Sequence, residues 1–209
     1  MPDLVVRDLG QLSYTKALAV QQDLVAQRKA NLAPDTLLLV EHPHVITLGR
    51  NGHPENVLDL PSGVELHHSN RGGDVTYHGP GQLVGYPIID LAALGRRDIA
   101  VYMRSLEQAL IAAIATFGIV GTRIPGLTGV WVGENKIAAL GLHLSRWVSS
   151  HGFALNVNTN LAWFEKIVPC GIRDHGVTSM ERELGHNISM DDVKREVASA
   201  VVNVVVQKI

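Results

Sequence analysis

Cysteine is almost missing from this chain: Cys170 is the one thiol in 209 residues, which excludes an intramolecular disulfide and any all-cysteine metal site. A basic excess is missing too. The formal net charge of −2 and a pI near 6.5 argue against a chain-wide nucleic-acid surface. No apolar run reaches the ~20 residues that span a bilayer, and the first residues, MPDLVVR, lack the basic start and apolar core of a secretory signal. A cytoplasmic protein without membrane or nucleic-acid partners is expected. There is no HExxH pattern, and of the tight histidine pairs His42/His44 and His67/His68 the adjacent His67 and His68 face opposite ways on a strand and do not chelate easily. No metal is expected. A GxxxxGK[ST] loop is also absent, which removes the P-loop class but not every ATP user.

The composition, 46% hydrophobic and 18% charged, is that of an ordinary globular chain long enough for one sizeable core. Ser13 can cap a helix over about 14–30, with Ala17, Gln21, Leu24 and Arg28 at helical spacing, closed by Pro34. The runs 36–40, 45–48 and 83–91 read as buried strands, and 64–68 alternates. Asp98 is an N-cap for a longer helix, about 99–117, whose stripe of Ile99, Met103, Leu106, Leu110, Ala113, Ile114 and Phe117 ends at Gly118. Val130–Val132 and Ile137–Leu140 flank a hairpin at 133–136, a further strand follows at 153–157, and Ser189 caps a last helix. Without strict βαβ alternation, repeats or a dividing linker, the order predicts one α/β domain over 1–209, built on a mixed sheet.

The segment Arg71-Gly72-Gly73-Asp74-Val75-Thr76-Tyr77-His78-Gly79-Pro80-Gly81-Gln82 concentrates the chemistry. Glycines bring backbone N–H groups close to a bound group, while Arg71 and His78 offer charge and proton transfer. A glycine-rich turn is the competing reading, but interleaved Arg, Thr and His favour a ligand. If the segment is extended, Thr76 and His78 share a face. Cys170 lies between Pro169 and Gly171, a turn setting, although a lone cysteine is commonly a small buried hydrophobe.

The stretch RGGDVTYHGPGQLVGYP at 71–87 resembles the glycine-rich signature of the lipoyl(octanoyl) transferases. Five further blocks agree in order: EHPHVITLGR at 41–50, GVWVGENKIAALG at 129–141, HGFALNVN at 151–158, IVPCGI at 167–172 and GVTSM at 176–180. The resemblance covers most of the chain. It implies the biotin/lipoate protein ligase catalytic fold, with a large and a smaller sheet flanked by helices, and transfer of an octanoyl group from octanoyl-acyl carrier protein to a lysine of lipoyl domains. The implied acceptors are the lipoyl domains of 2-oxoacid dehydrogenases and the glycine cleavage H protein, and no cofactor is required.

By the same resemblance Cys170 forms the acyl-thioester and Lys136 is its catalytic partner, where Lys136 alone would read as an exposed hairpin lysine. A thiol with a pKa near ~8.5 is mostly protonated at pH 7, so a neighbouring ammonium is needed to hold the thiolate. The acyl contacts map onto Arg71, Gly72, Gly73, Asp74, Val75, Thr76, Tyr77 and His78, then onto Ala139, Leu140 and Gly141, and onto Gly152, Phe153 and Ala154. Small residues there leave room for an alkyl chain, and valine at Gly141 is expected to fill it. Backbone amides of Gly72, Gly73 or Gly171 are the candidates for an oxyanion hole. An ATP-dependent lipoate or biotin ligase is the nearest alternative, since it shares the fold but needs no cysteine. A non-catalytic module that binds lipoyl domains is the alternative from another class.

Overall fold

Strand β2 (Thr36–Glu41) is apolar without alternation and is buried almost throughout, because the sheet around it is covered on both faces. The computed structural model describes residues 4–168 and 175–206. Helix α1 (Tyr14–Lys29) follows β1 (Val5–Gln11), and β3 (Val45–Leu48), β4 (Glu65–His68), β5 (Val75–His78) and β6 (Gln82–Ile88) precede helix α2 (Ile99–Ala115). Then come β7 (Thr122–Ile124), β8 (Leu127–Val132), β9 (Asn135–Ser145), β10 (Val148–Asn156), β11 (Gly176–Val177), α3 (Met180–Leu184) and α4 (Met190–Val201).

The large sheet runs β1-β2-β6-β10-β9-β8-β7, with β11 pairing β9, and the small sheet runs β4-β3-β5. Both are mixed: β1 pairs β2 and β3 pairs β4 in parallel, whereas β2/β6, β6/β10 and β9/β10 are antiparallel. One face of the large sheet carries the main core, where Leu37, Leu39, Leu83 and Leu155 meet Leu106 and Leu110 of α2 and Val193 and Val197 of α4. The opposite face packs Leu38, Val40, Val84 and Ala154 against Ala17 and Leu24 of α1. These helices use the stripes their sequences carry. Alternation along β5 sends Val75 and Tyr77 into a third cluster with Ile46 and Leu48, leaving Thr76 and His78 to face the large sheet.

Several expectations shift. Ser13 occupies the N-cap position of α1 but its side chain bonds no backbone N–H, whereas Asp98 accepts from Ala100 and Val101 and Ser189 from Asp192. Ile99 begins α2 at 46% exposure and stands outside its buried side. The buried side of α2 includes Tyr102 and Glu107 instead. Glu107 is held by Arg104 at 2.6 Å and Arg123 at 3.0 Å, which is how a carboxylate is tolerated there. Strand β1 escaped the sequence reading because it is an exposed edge with no buried run. No helix among the described residues is long and apolar enough to cross a membrane.

Candidate active site

A groove opens where the small sheet leans on the large one. Gly72 donates its N–H to the Leu142 carbonyl at 2.8 Å, which fastens the glycine-rich loop onto β9. Gly141 is glycine because a Cβ there would stand 2.8 Å from the Gly72 carbonyl oxygen. Arg71 locks the loop from within: its guanidinium donates to the Thr47 carbonyl at 2.7 Å, the Asp74 carbonyl at 2.8 Å and the Gly72 carbonyl at 3.0 Å. Asp74 accepts from the His53 and Val75 amides, both through Oδ1, and so braces the loop from the other side.

Of the residues the sequence singled out, the groove gathers Arg71, Gly73, Thr76 and His78 from the loop and β5. From β9 and β10 it gathers Ala139, Leu140, Gly141, Gly152, Phe153 and Ala154. Gly72, Asp74, Val75 and Tyr77 are not among its lining. Phe153 borders the groove, but its side chain belongs to the main core, and Gly152 has no room for a Cβ, which would meet the Gly85 carbonyl. Tyr14, Val84, Tyr86 and His151 complete the wall. Sequence reasoning missed them because each looks like an ordinary core or helix-start residue, and only the packing of α1 over β6 and β10 brings them to the groove.

Three histidines around this groove are held neutral. His78 is pushed down to about 3, chiefly by burial, with His42 beside it adding to the shift. His151 is pushed down to about 4 by burial and then by Arg71, and burial lowers His42 as well. The tautomer of His78 follows from its partners. Gln82 spends its Nε2 hydrogens on the Tyr77 carbonyl at 3.2 Å and Asn156 Oδ1 at 2.9 Å, so its Oε1 is an acceptor and His78 Nδ1 donates to it at 2.7 Å. Nε2 of His78 therefore bears a lone pair. A neutral His78 positions by accepting and does not serve as a charged acid at pH 7.

Beyond Thr76, Ala139 and Ala154, which line both spaces, the groove leads to a second chamber that contains Lys136. Lys136 is only 7% exposed, not the solvated hairpin residue that its neighbours suggest. The turn is just Gly133-Glu134, and β9 has already begun. A register shift puts it there. Val130 pairs with Ala138 but Trp131 pairs with Lys136, so β9 has one extra residue, and Ile137 and Ala138 both enter the main core. The bulge reverses the phase of the strand, which lets Lys136 share the Ala139 side. Its stem passes over Gly129, where a Cβ would lie 3.1 Å from Cε, and its ammonium sits 4.8 Å from the centroid of the Trp131 ring.

Cys170 lies outside the described residues. The chain before it is tied by the Val168 amide to the Asn56 carbonyl at 2.7 Å. After it, the His175 ring meets the edge of Trp131 at 5.2 Å, the same ring that carries the Lys136 ammonium.

Known structures share this architecture. A bi-partite lipoate protein ligase from Thermoplasma acidophilum aligns with a TM-score of 0.76 at 18% identity, over 100% of this chain and 86% of its own. A biotin protein ligase from Aquifex aeolicus aligns at 0.62 and 14% identity, over 96% of this chain and 70% of its own. The fold is that of the lipoate and biotin protein ligase catalytic domains. Residues 13–202 match the model of the lipoyl protein ligase A/B catalytic domain. Octanoyltransferases of Solibacter usitatus and Geobacter metallireducens are 58% and 51% identical, covering 92% and 93% of this chain and 89% and 90% of their own lengths. The chain belongs to the lipoyl protein ligase A/B family and, within it, to the octanoyltransferases, which makes it an acyltransferase.

Proposed function

We propose that the protein moves an octanoyl group from octanoyl-acyl carrier protein to a lysine of lipoyl domains through a thioester on Cys170, the first step of endogenous protein lipoylation. The observation that carries this reading is that the groove and the chamber of buried Lys136 share Thr76, Ala139 and Ala154 as walls. Ala139 and Ala154, directly paired across β9 and β10, leave width for an unbranched alkyl chain, and the side chain of Thr76 forms the opposite wall.

The chemistry balances without ATP, because one thioester is exchanged for another. The Cys170 thiolate forms a bond to the thioester carbonyl carbon, the pantetheine C–S bond breaks, and the departing sulfur takes a proton from the Lys136 ammonium. The lysine amine of the acceptor domain then forms the amide bond. Cys170 leaves as thiolate, and the now neutral Lys136 amine takes the proton lost from nitrogen. The ammonium and the thiolate are thereby restored together. Thr76, His78 and the backbone of Gly73 hold the acyl group. Arg71, the most heavily hydrogen-bonded of the loop residues, keeps the groove open.

The test is intact mass spectrometry after mixing the protein with octanoyl-acyl carrier protein in the absence of ATP. One octanoyl group is expected on wild type and none on Cys170→Ala, with chase to a lipoyl domain clearing the adduct. Octanoylation of the lipoyl domain that requires ATP and free octanoate would instead identify a ligase.

A further inference from the structure

Attack on a thioester carbonyl drives negative charge onto oxygen, and a preorganised N–H donor has to meet it. This inference rests on the acyl-transfer reading above. Among the glycine amides that the sequence offers, Gly72 is already committed to the Leu142 carbonyl, Gly73 lines the groove but not the Lys136 chamber, and Gly171 lies outside the described residues. Besides Lys136 itself, the polar side chains of that chamber are Thr76, which faces the alkyl chain in the reading above, Gln82 and Asn156.

Gln82 has nothing left to give, since its Nε2 hydrogens go to Tyr77 and Asn156 and its Oε1 accepts from His78. Asn156 differs. Its Oδ1 accepts from Gln82, and its Nδ2 donates to the Thr178 carbonyl at 3.0 Å. That is one of two Nδ2 hydrogens, and no acceptor for the second is found among the described residues. The orientation of the amide is not open to a flip. Reversal would oppose Gln82 Nε2 to Asn156 Nδ2 and set Oδ1 against the Thr178 carbonyl.

Three further observations bear on Asn156. It is 4% exposed, so its hydrogen bond is not diluted by bulk water. It follows Ala154 by two on β10 and so shares the groove face with it. Its partner Thr178 donates its own N–H to the Lys136 carbonyl at 3.0 Å, which ties the carboxamide to the strand that carries the lysine.

We propose that Asn156 is a catalytic residue whose second Nδ2–H stabilises the oxyanion formed as Cys170 attacks the octanoyl thioester. As the sulfur–carbon bond forms, the carbonyl π pair moves to oxygen and is held by that N–H. As the pair returns, the bond to pantetheine sulfur breaks, and no other reactant is consumed. Gln82 and His78 are positioning residues in this scheme, because they fix which way the carboxamide points.

The experiment measures two rates on the same samples of wild type, Asn156→Ala and Asn156→Asp. One is octanoyl adduct formation from octanoyl-acyl carrier protein. The other is alkylation of Cys170 by iodoacetamide, a displacement at a tetrahedral carbon that develops no oxyanion. Acylation is expected to slow roughly 100- to 1,000-fold in both variants, with alkylation unchanged in Asn156→Ala, which adds no charge beside the thiolate. Wild-type acylation in either folded variant, or equal loss of both rates in Asn156→Ala, would overturn the assignment. If neither variant folds, the infrared carbonyl stretch of isotope-labelled octanoyl-enzyme decides on wild type alone. It is expected below that of the same thioester in water, and an unshifted band would overturn the proposal. Failure of wild type to form any adduct sinks the thioester reading itself, which separates the two failures.

Discussion

His78 and His151 stand on the wall of an apolar groove and are kept neutral mainly because burial penalises their charged forms. Their values of about 3 and about 4 lie below the ~6.5 of an unfolded histidine, so above pH 6.5 neither contributes to a pH slope. Below it the unfolded chain binds protons that the folded chain refuses. Stability therefore falls as pH drops from 6.5 toward 4, by on the order of 2 kcal/mol per histidine at about pH 5. Thermal unfolding midpoints between pH 7 and 5 should show this decline, and His151→Asn should flatten it. Asparagine is the apt replacement because His151 holds φ at +56°, a conformation asparagine tolerates better than most residues. A slope as steep in the variant as in wild type would rule His151 out as a source.

At the scale of the element, β9 decides the geometry of the groove. Gly141 answers to the loop above it and not to the acyl space, since its missing Cβ would point within 2.8 Å of the Gly72 carbonyl. Gly141→Val, expected from the sequence to fill the groove, should instead push the glycine-rich loop away and impair all donors alike. Ala154→Leu is the better filler, because Ala154 lines both the groove and the Lys136 chamber. It should penalise octanoyl donors more than hexanoyl ones. In wild type, loss of two methylenes should weaken acyl recognition by roughly 1.5 kcal/mol, about tenfold, and the variant should shrink or reverse that difference. Acyl-enzyme formation rates across a donor series check both substitutions.

The whole molecule separates its tasks between the two faces of one sheet. The face toward α2 and α4 holds the main core, and the face toward α1 and the small sheet holds the groove. Leu110 is fully buried in α2 on the first of these faces. Leu110→Ala should cost about 2–5 kcal/mol of stability, while the fraction that remains folded keeps its acyl-transfer rate. Denaturant unfolding together with activity per folded molecule tests this separation. A rate loss at full folding would mean that the faces are mechanically coupled.

The amino-acid sequence by itself determined what local chemistry can specify. Apolar runs marked β2, β3 and β6, the capping residues Asp98 and Ser189 marked where α2 and α4 begin, and the motif blocks marked the family. These depend on short-range spacing and side-chain type, which are written along the chain. Only the tertiary structure decided which side chains meet. Strict alternation from Ala139 would turn Lys136 away from the groove, and the bulge that returns it arises from pairing with β8, a partner that spacing along β9 does not encode. The second hydrogen of Asn156 is likewise invisible in the string HGFALNVN. It is left available because Gln82 and Thr178, 74 and 22 residues away in the chain, take up the rest of the carboxamide.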